Sequence, residues 1–407
     1  MKITDHGITA AKGFKAAGTA AGIKYKDRPD MALLYSEAPC VVAGTFTSNV
    51  VKAAPVKWDM RIVEGPGPVR AVVVNSGIAN ACTKSEGMKA CEETADKCAE
   101  LLNISRDAVL IGSTGVIGMN LPKDRIKAGI EKLVPALSDS AESAHLAERA
   151  IMTTDTVPKE VSVEIEIDGK TVNIGGMSKG SGMIHPNMCT MLAYIATDVS
   201  ITKEMLTKAV KEDVKDTFNM ISVDGDTSTN DTFLVMANAL AENKVIDSEG
   251  EAYDTFVKAL HYVNETLAKK MAADGEGATA LFETTVINAD TKENARKLAR
   301  SVISSSLTKA AIFGHDANFG RIICALGYSG VDFDPDGIDM FIGSKSGKIL
   351  MFSDGDPADF SEEEATKILS DKEVTVTVDM KMGSESATAW GCDLSYDYVK
   401  INADYRS

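Results

Sequence analysis

The chain lacks the marks of several protein classes. No apolar run approaches the roughly 20 residues that span a bilayer, and the N-terminal "MKITDHGITAAKGFKAAG" has no apolar stretch typical of a signal peptide. Basic charge is in deficit: 43 Lys and Arg stand against 59 Asp and Glu, a formal net charge of −16. Such a surface repels phosphate backbones and anionic membranes. It does not exclude a small anionic substrate, because one lysine in a cleft can override the global field. The seven cysteines (Cys40, Cys82, Cys91, Cys98, Cys189, Cys324 and Cys392) are scattered, with no C-x-x-C and no zinc spacing. Buried reduced thiols in a soluble cytoplasmic protein are therefore expected. Histidine is sparse, with five dispersed residues, and no G-x-S-x-G elbow is present. A nucleophilic enzyme of this sequence would lack the usual histidine base.

What is present is the composition of a folded protein, 44% apolar and 25% charged. At 407 residues, two or three domains are expected. Helical and strand patterns mix along the chain. "SEGMKACEETADKCAELLNI", "DRIKAGIEKLVPAL", "SAHLAERAIMTTD" and "TKEMLTKAVKEDVKDTFNM" read as helices, the last with Thr202 as N-cap. "VSVEIEIDGKTVNIGG" reads as a hairpin turning at Asp168–Gly169. "EAYDTFVKALHYVNETLAKKMAADG" reads as a long helix with Tyr253, Phe256, Leu260, Val263, Leu267 and Met271 on one face. A capping box, Ser361 with Glu364, starts another.

Several stretches could carry chemistry. "GSTGVIG", residues 112–118, follows a strand but lacks both the dinucleotide spacing and a Walker lysine. A simple turn is the commoner reading. A concave set of backbone N–H groups, suited to an oxyanion, is the functional one. "SVDGDTSTNDT", residues 222–232, resembles part of a calcium loop, but the full pattern is absent and a solvated turn is expected. In "AADGEGAT", Glu276 follows a helix C-terminus, where an acid opposes the macrodipole unless it serves another purpose. In "FGHDANFGRI", His315 is expected to be structural or solvated.

Residues 178–198, "SKGSGMIHPNMCTMLAYIATD", join a Gly-Ser-Pro loop to an apolar strand, with Thr190 at the seam. A threonine at a strand start usually has no special role. A threonine that becomes a chain N-terminus, however, carries its own base, an α-amine with a pKa near 8. Cleavage of the Cys189–Thr190 bond would produce one.

This segment resembles the self-cleaving segment of the ornithine acetyltransferases, the ArgJ family of glutamate N-acetyltransferases in arginine biosynthesis. "KGFKAAGTAAGIK", "AGTFTSN", "VVVNSGIANACT", "GSTGVIG", "IMTTDTVPK", "VDGDTSTNDT", "DGEGATALFE", "FGRI" and "YVKINADYRS" are similar to family motifs in family order. The resemblance implies an α/β sandwich of the self-cleaving type with an N-terminal Thr nucleophile, plus a smaller C-terminal α+β subdomain. It implies an α chain, 1–189, and a β chain, 190–407, whose C-terminal subdomain spans roughly 285–407. The two would remain associated as a heterotetramer of two of each.

The resemblance also implies roles. Thr190 is the cleavage nucleophile and acetyl acceptor, and Thr114 and Gly115 form the oxyanion hole. Thr153, Lys179, Thr190, Glu276, Asn402 and Ser407 bind substrate, with Thr154 the alternative to Thr153. Acetyl passes from N2-acetylornithine to Thr190 and then to glutamate, without metal or diffusible cofactor. Some members also accept acetyl-CoA, which would make this one bifunctional. The sequence departs from the family pattern at Cys189, where a smaller residue is usual, at Ile78, at "HDANFGRI" and at Ser407, where a threonine is usual. Two other readings stand beside this one: a hydrolase using water as acceptor, and a binding protein that never cleaves.

Overall fold

The computed structural model describes residues 1–185 and 191–403. The chain packs as two compact units. One comprises Met1–Gly180, Pro186–Phe218 and Thr227–Leu267, and the other comprises Ser181–His185, Asn219–Asp226 and Ala268–Ser407.

The larger unit holds a nine-stranded sheet. Its order is Lys2–Thr4, Lys159–Ile167, Lys170–Lys179, Leu192–Thr197, Thr232–Ala237, Met31–Phe46, Val69–Asn75 and Val109–Ser113. Phe14–Thr19 pairs alongside Met31–Phe46. The 16-residue strand Met31–Phe46 joins two halves of the sheet: Met31–Tyr35 pairs with Val69–Asn75, Val41–Phe46 pairs with Thr232–Ala237, and the register shifts between Tyr35 and Cys40. Leu192–Thr197 runs antiparallel to Lys170–Lys179 and parallel to Thr232–Ala237. Every residue in it is buried, so its unbroken apolar run is that of a central strand. The expected hairpin forms, with Ile167 opposite Lys170. Asp168 and Gly169 take φ of +51° and +72°, as a tight two-residue turn requires.

The expected helices appear as Lys84–Leu102, Lys123–Leu133, Ala141–Ile151 and Lys203–Asp213. Thr202 caps the last of these, accepting a hydrogen bond from Met205 N at 3.3 Å. That helix ends at Asp213, short of the expected Met220. The helix Ala54–Glu64 has no side-chain cap and carries Pro55 in its first turn, so its sequence signal is weak. It is held on the sheet by two polar bonds. Trp58 Nε1 donates to Val109 O at 3.0 Å, and Ile111 N donates to Asp59 Oδ1 at 2.8 Å. Asp59 is fully buried, and burial pushes its carboxyl well above the usual range against that one backbone bond.

The second unit is a seven-stranded mixed sheet. Its order is Asp356–Pro357, Gly347–Ser353, Asp339–Ser344, Glu373–Asp379, Leu281–Ala289, Glu385–Cys392 and Ile221–Ser222. The helix Lys292–Ser304 buries Ala295, Leu298, Ala299, Val302 and Ile303. The long helix Glu251–Ala273, which belongs to the larger unit as far as Leu267, buries all six residues of its predicted stripe. Ser361 caps Glu362–Leu369 by accepting from Glu364 N at 3.3 Å. "HDANFGRI" is structural: Asn318 caps the helix Phe319–Gly327, and Arg321 reaches back to Leu307 O. No helix among the described residues is long and apolar enough to cross a membrane.

Candidate active site

Thr190, with the expected cleavage partner Cys189, and Ser407 lie outside the described residues. The first described residue after the seam is Met191, whose carbonyl accepts from Thr232 N at 2.8 Å. Leu192 sits between Lys179 and Thr232 in the sheet register. Two residues before Thr232, Asn230 is 7% exposed and donates to Ser113 O at 2.8 Å and to Ala79 O at 2.6 Å. Register thus places Lys179 beside the start of the strand Leu192–Thr197, and the Asn230 side chain ties the start of the neighbouring strand to the carbonyl of Ser113, where the turn begins. The segment 222–232 is more than a solvated turn, since Asn230, Asp231 and Thr232 are buried within it.

The turn itself is set by glycine. Gly115 has φ +128°, and a Cβ there would lie 2.2 Å from the Gly77 carbonyl carbon. Only glycine fits on both counts. Thr114 N donates to Asn75 O at 3.0 Å and Val116 N to Gly77 O at 3.1 Å. Among the described residues, the Gly115 N–H and the Thr114 hydroxyl have no hydrogen-bond partner. A tight turn with one N–H and one hydroxyl left over is a ready acceptor of developing negative charge. The expected pair therefore offers a backbone donor from Gly115 and a side-chain donor from Thr114.

Thr153 and Lys179 are brought together by a residue that the sequence reading did not single out, Asp155. Its carboxylate accepts from Thr153 N at 3.0 Å, Gly180 N at 2.7 Å and Lys159 Nζ at 2.8 Å. Lys179 Nζ lies 3.8 Å away, an ion pair without a hydrogen bond. The Lys179 ammonium is thus buried and charge-compensated, and among the described residues it makes no hydrogen bond. Burial opposes ionisation of Asp155, but the charges of Lys179 and Lys159 and the hydrogen bonds outweigh it, holding the carboxyl well below the usual range. The spacing Asp155–Lys159 in "TTDTVPK" was the available signal. The Thr153 and Thr154 hydroxyls are both without a partner among the described residues.

Glu276 and Asn402 meet in the second unit. Asn402 Nδ2 donates to Glu276 Oε2 at 2.7 Å, and Glu276 N donates to Ser181 O at 2.8 Å. Asn402 sits on the helix Tyr396–Ala403, which sequence periodicity did not reveal. In the same unit, Asp224 accepts from Met183 N at 2.6 Å and Ile184 N at 2.9 Å. Burial pushes the Asp224 carboxyl up, against these backbone bonds. His185 Nδ1 lies 3.0 Å from Ser222 Oγ. Burial, then the Arg300 charge, pulls the His185 ring down to about 4, so it is neutral at pH 7.

Unused donors in a tight turn suit the oxyanion of acyl transfer, and the chain that holds them is of the mixed α/β class. The model of the ArgJ family matches residues 15–407. The arginine biosynthesis bifunctional protein ArgJ of Caldanaerobacter subterraneus is 51% identical over 407 residues, covering 100% of both chains. The chloroplastic ArgJ of Oryza sativa subsp. japonica is 45% identical, over 99% of this chain and 88% of that one. Among solved structures, the bifunctional ArgJ of Bacillus halodurans is 45% identical with a TM-score of 0.50, over 52% of this chain and 97% of that one. The chain belongs to the ArgJ family and is an acyltransferase of arginine biosynthesis.

Proposed function

We propose that the chain cleaves itself between Cys189 and Thr190 and then transfers acetyl from N2-acetylornithine to glutamate by a ping-pong route through acetyl-Thr190. In the cleavage, the Thr190 hydroxyl attacks the Cys189 carbonyl, and water hydrolyses the resulting ester. The product is an α chain, 1–189, and a β chain, 190–407, which begins with a free threonine amine. That amine takes the hydroxyl proton as Thr190 attacks the acetyl carbonyl. The tetrahedral oxyanion is received by the Gly115 N–H and the Thr114 hydroxyl. As the intermediate collapses, the leaving amine of ornithine takes the proton. Glutamate then repeats the sequence in reverse.

Lys179 pairs with the α-carboxylate common to both amino acids, and Thr153 lies beside it on the Asp155 carboxylate. Glu276, with Asn402, receives the side-chain ammonium of ornithine, and Ser407 contributes its hydroxyl. No metal or diffusible cofactor enters these steps. Acetyl-CoA is a second donor, in keeping with the relatives' designation as bifunctional. We further propose a cytoplasmic enzyme of two α and two β chains.

The observation that carries this reading is the donor pair at Thr114 and Gly115, without a partner among the described residues and next to Ser113, whose carbonyl Asn230 holds. Isotope exchange is the test. Labelled ornithine incubated with N2-acetylornithine and enzyme, without glutamate, should become acetylated. No exchange, with transfer only when both substrates are present, would replace the acetyl-enzyme by direct transfer. Acetate release without glutamate would make water the acceptor and the enzyme a hydrolase.

A further inference from the structure

The stretch Ser181–His185, the last described before the seam, is anchored at every residue but one. Ser181 Oγ donates to Asp274 O at 2.7 Å, and its carbonyl accepts from Glu276 N at 2.8 Å. Met183 N and Ile184 N are both held by the Asp224 carboxylate. Ile184 O accepts from Val223 N at 2.7 Å. His185 is held at Ser222. Gly182 alone makes no such bond. It is the residue that faces Glu276: a Cβ built on it would lie 2.3 Å from Glu276 Oε2, 2.4 Å from Cδ and 2.6 Å from Oε1.

All three of these atoms belong to the free end of one side chain, and Gly182 has no positive φ that would reserve it for glycine. An added methyl group therefore meets a carboxylate that can swing away. Its own backbone cannot, because both neighbours are pinned. Glu276 is only 7% exposed, and Asn402 holds Oε2 from the other side. The carboxylate is thus fixed between the Asn402 amide and the bare Cα of Gly182.

We infer that Gly182 is a positioning residue for Glu276: the segment leading to the cleavage site forms the wall that fixes the carboxylate where it selects a substrate ammonium. This rests on the proposed role of Glu276. Preference for the ammonium-bearing donor is then set by the tail of the α chain as well as by the acid itself. Its physical basis is that a carboxylate held in one place discriminates by direction, whereas a displaced one leaves the ammonium imperfectly paired.

The test compares N2-acetylornithine with N2-acetylnorvaline, which has the same carbon chain without the amine. The readout is the ratio of their kcat/KM values in wild type, Gly182→Ala, Glu276→Gln and Gly182→Ala/Glu276→Asp. Gly182→Ala should lower the ratio about tenfold, the scale of one charge-assisted hydrogen bond. Most of the change should fall in KM for N2-acetylornithine. The double variant should recover part of the ratio, since the shorter acid withdraws from the new methyl and the two changes are coupled. An equal loss with both substrates would mean a general packing defect and would overturn the inference. A ratio that survives Gly182→Ala but collapses in Glu276→Gln would overturn it while leaving the role of Glu276 intact. A ratio that survives Glu276→Gln would remove that role and the inference with it.

Discussion

Removing the Thr114 hydroxyl isolates the side-chain half of the proposed oxyanion site. Thr114→Ala keeps the backbone bond from Thr114 N to Asn75 O, so the turn persists. Activity should fall about 10²–10³-fold in kcat, as loss of an oxyanion donor does, with little change in melting temperature. Gly115→Ala should lose both activity and stability, because its φ of +128° and the Gly77 backbone leave no space for a methyl. Asp155 lies at the other pole. Asp155→Asn deprives two buried ammonium groups of their shared carboxylate and should cost about 3–5 kcal/mol, read by denaturant unfolding. Its lowered pKa gives a sign. The stability it contributes is complete above the unfolded value near 3.9 and is lost as pH falls through the lower folded value. Lys179 and Thr153 are named in the sequence through family resemblance, and Asp155 is signalled only by its spacing from Lys159. Its importance comes from four groups converging from separate strands and turns, of which the local pattern announces one.

Whole elements were more legible than single contacts. The hairpin at Asp168–Gly169, the helix capped by Thr202 and the stripe of the helix Glu251–Ala273 follow from period and turn chemistry alone. The helix Ala54–Glu64 does not, since its helicity depends on docking through Trp58 and Asp59 rather than on a cap. The tail helix Tyr396–Ala403 likewise buries none of its residues and has no stripe to read. The helix Ala141–Ile151 offers a prediction at this scale. Its Glu148 accepts from Lys159 N at 2.7 Å, joining the helix to the strand Lys159–Ile167, and burial pushes its carboxyl up to about 8. Between pH 4.5 and about 8 the folded state holds a proton that the unfolded state has released, so this group makes stability fall as pH rises. Glu148→Gln removes that proton, and stability profiles from pH 5 to 8 should lose up to about 1.4 kcal/mol per pH unit of downward slope. An unaltered slope would place the carboxyl in its ordinary range.

Across the whole molecule, the proposed covalent division and the packing division cross. Residues on both sides of the proposed cut share one sheet, with Leu192–Thr197 hydrogen-bonded to Lys170–Lys179 on one edge and Thr232–Ala237 on the other. Ser181–His185 precedes the cut in sequence but packs with the C-terminal unit. Cleaved chains should therefore co-elute under native conditions and separate only in denaturant. Two fragments that part on a native column would contradict the interleaved sheet. The central claim, a self-made threonine terminus that carries acetyl, is tested most directly by denatured intact mass, before and after brief exposure to N2-acetylornithine without glutamate. The account predicts two fragments parting at Cys189–Thr190, with an acetyl increment on the C-terminal fragment alone that disappears when glutamate is added. A single uncleaved chain, or two fragments of which neither gains acetyl while transfer proceeds, would contradict it.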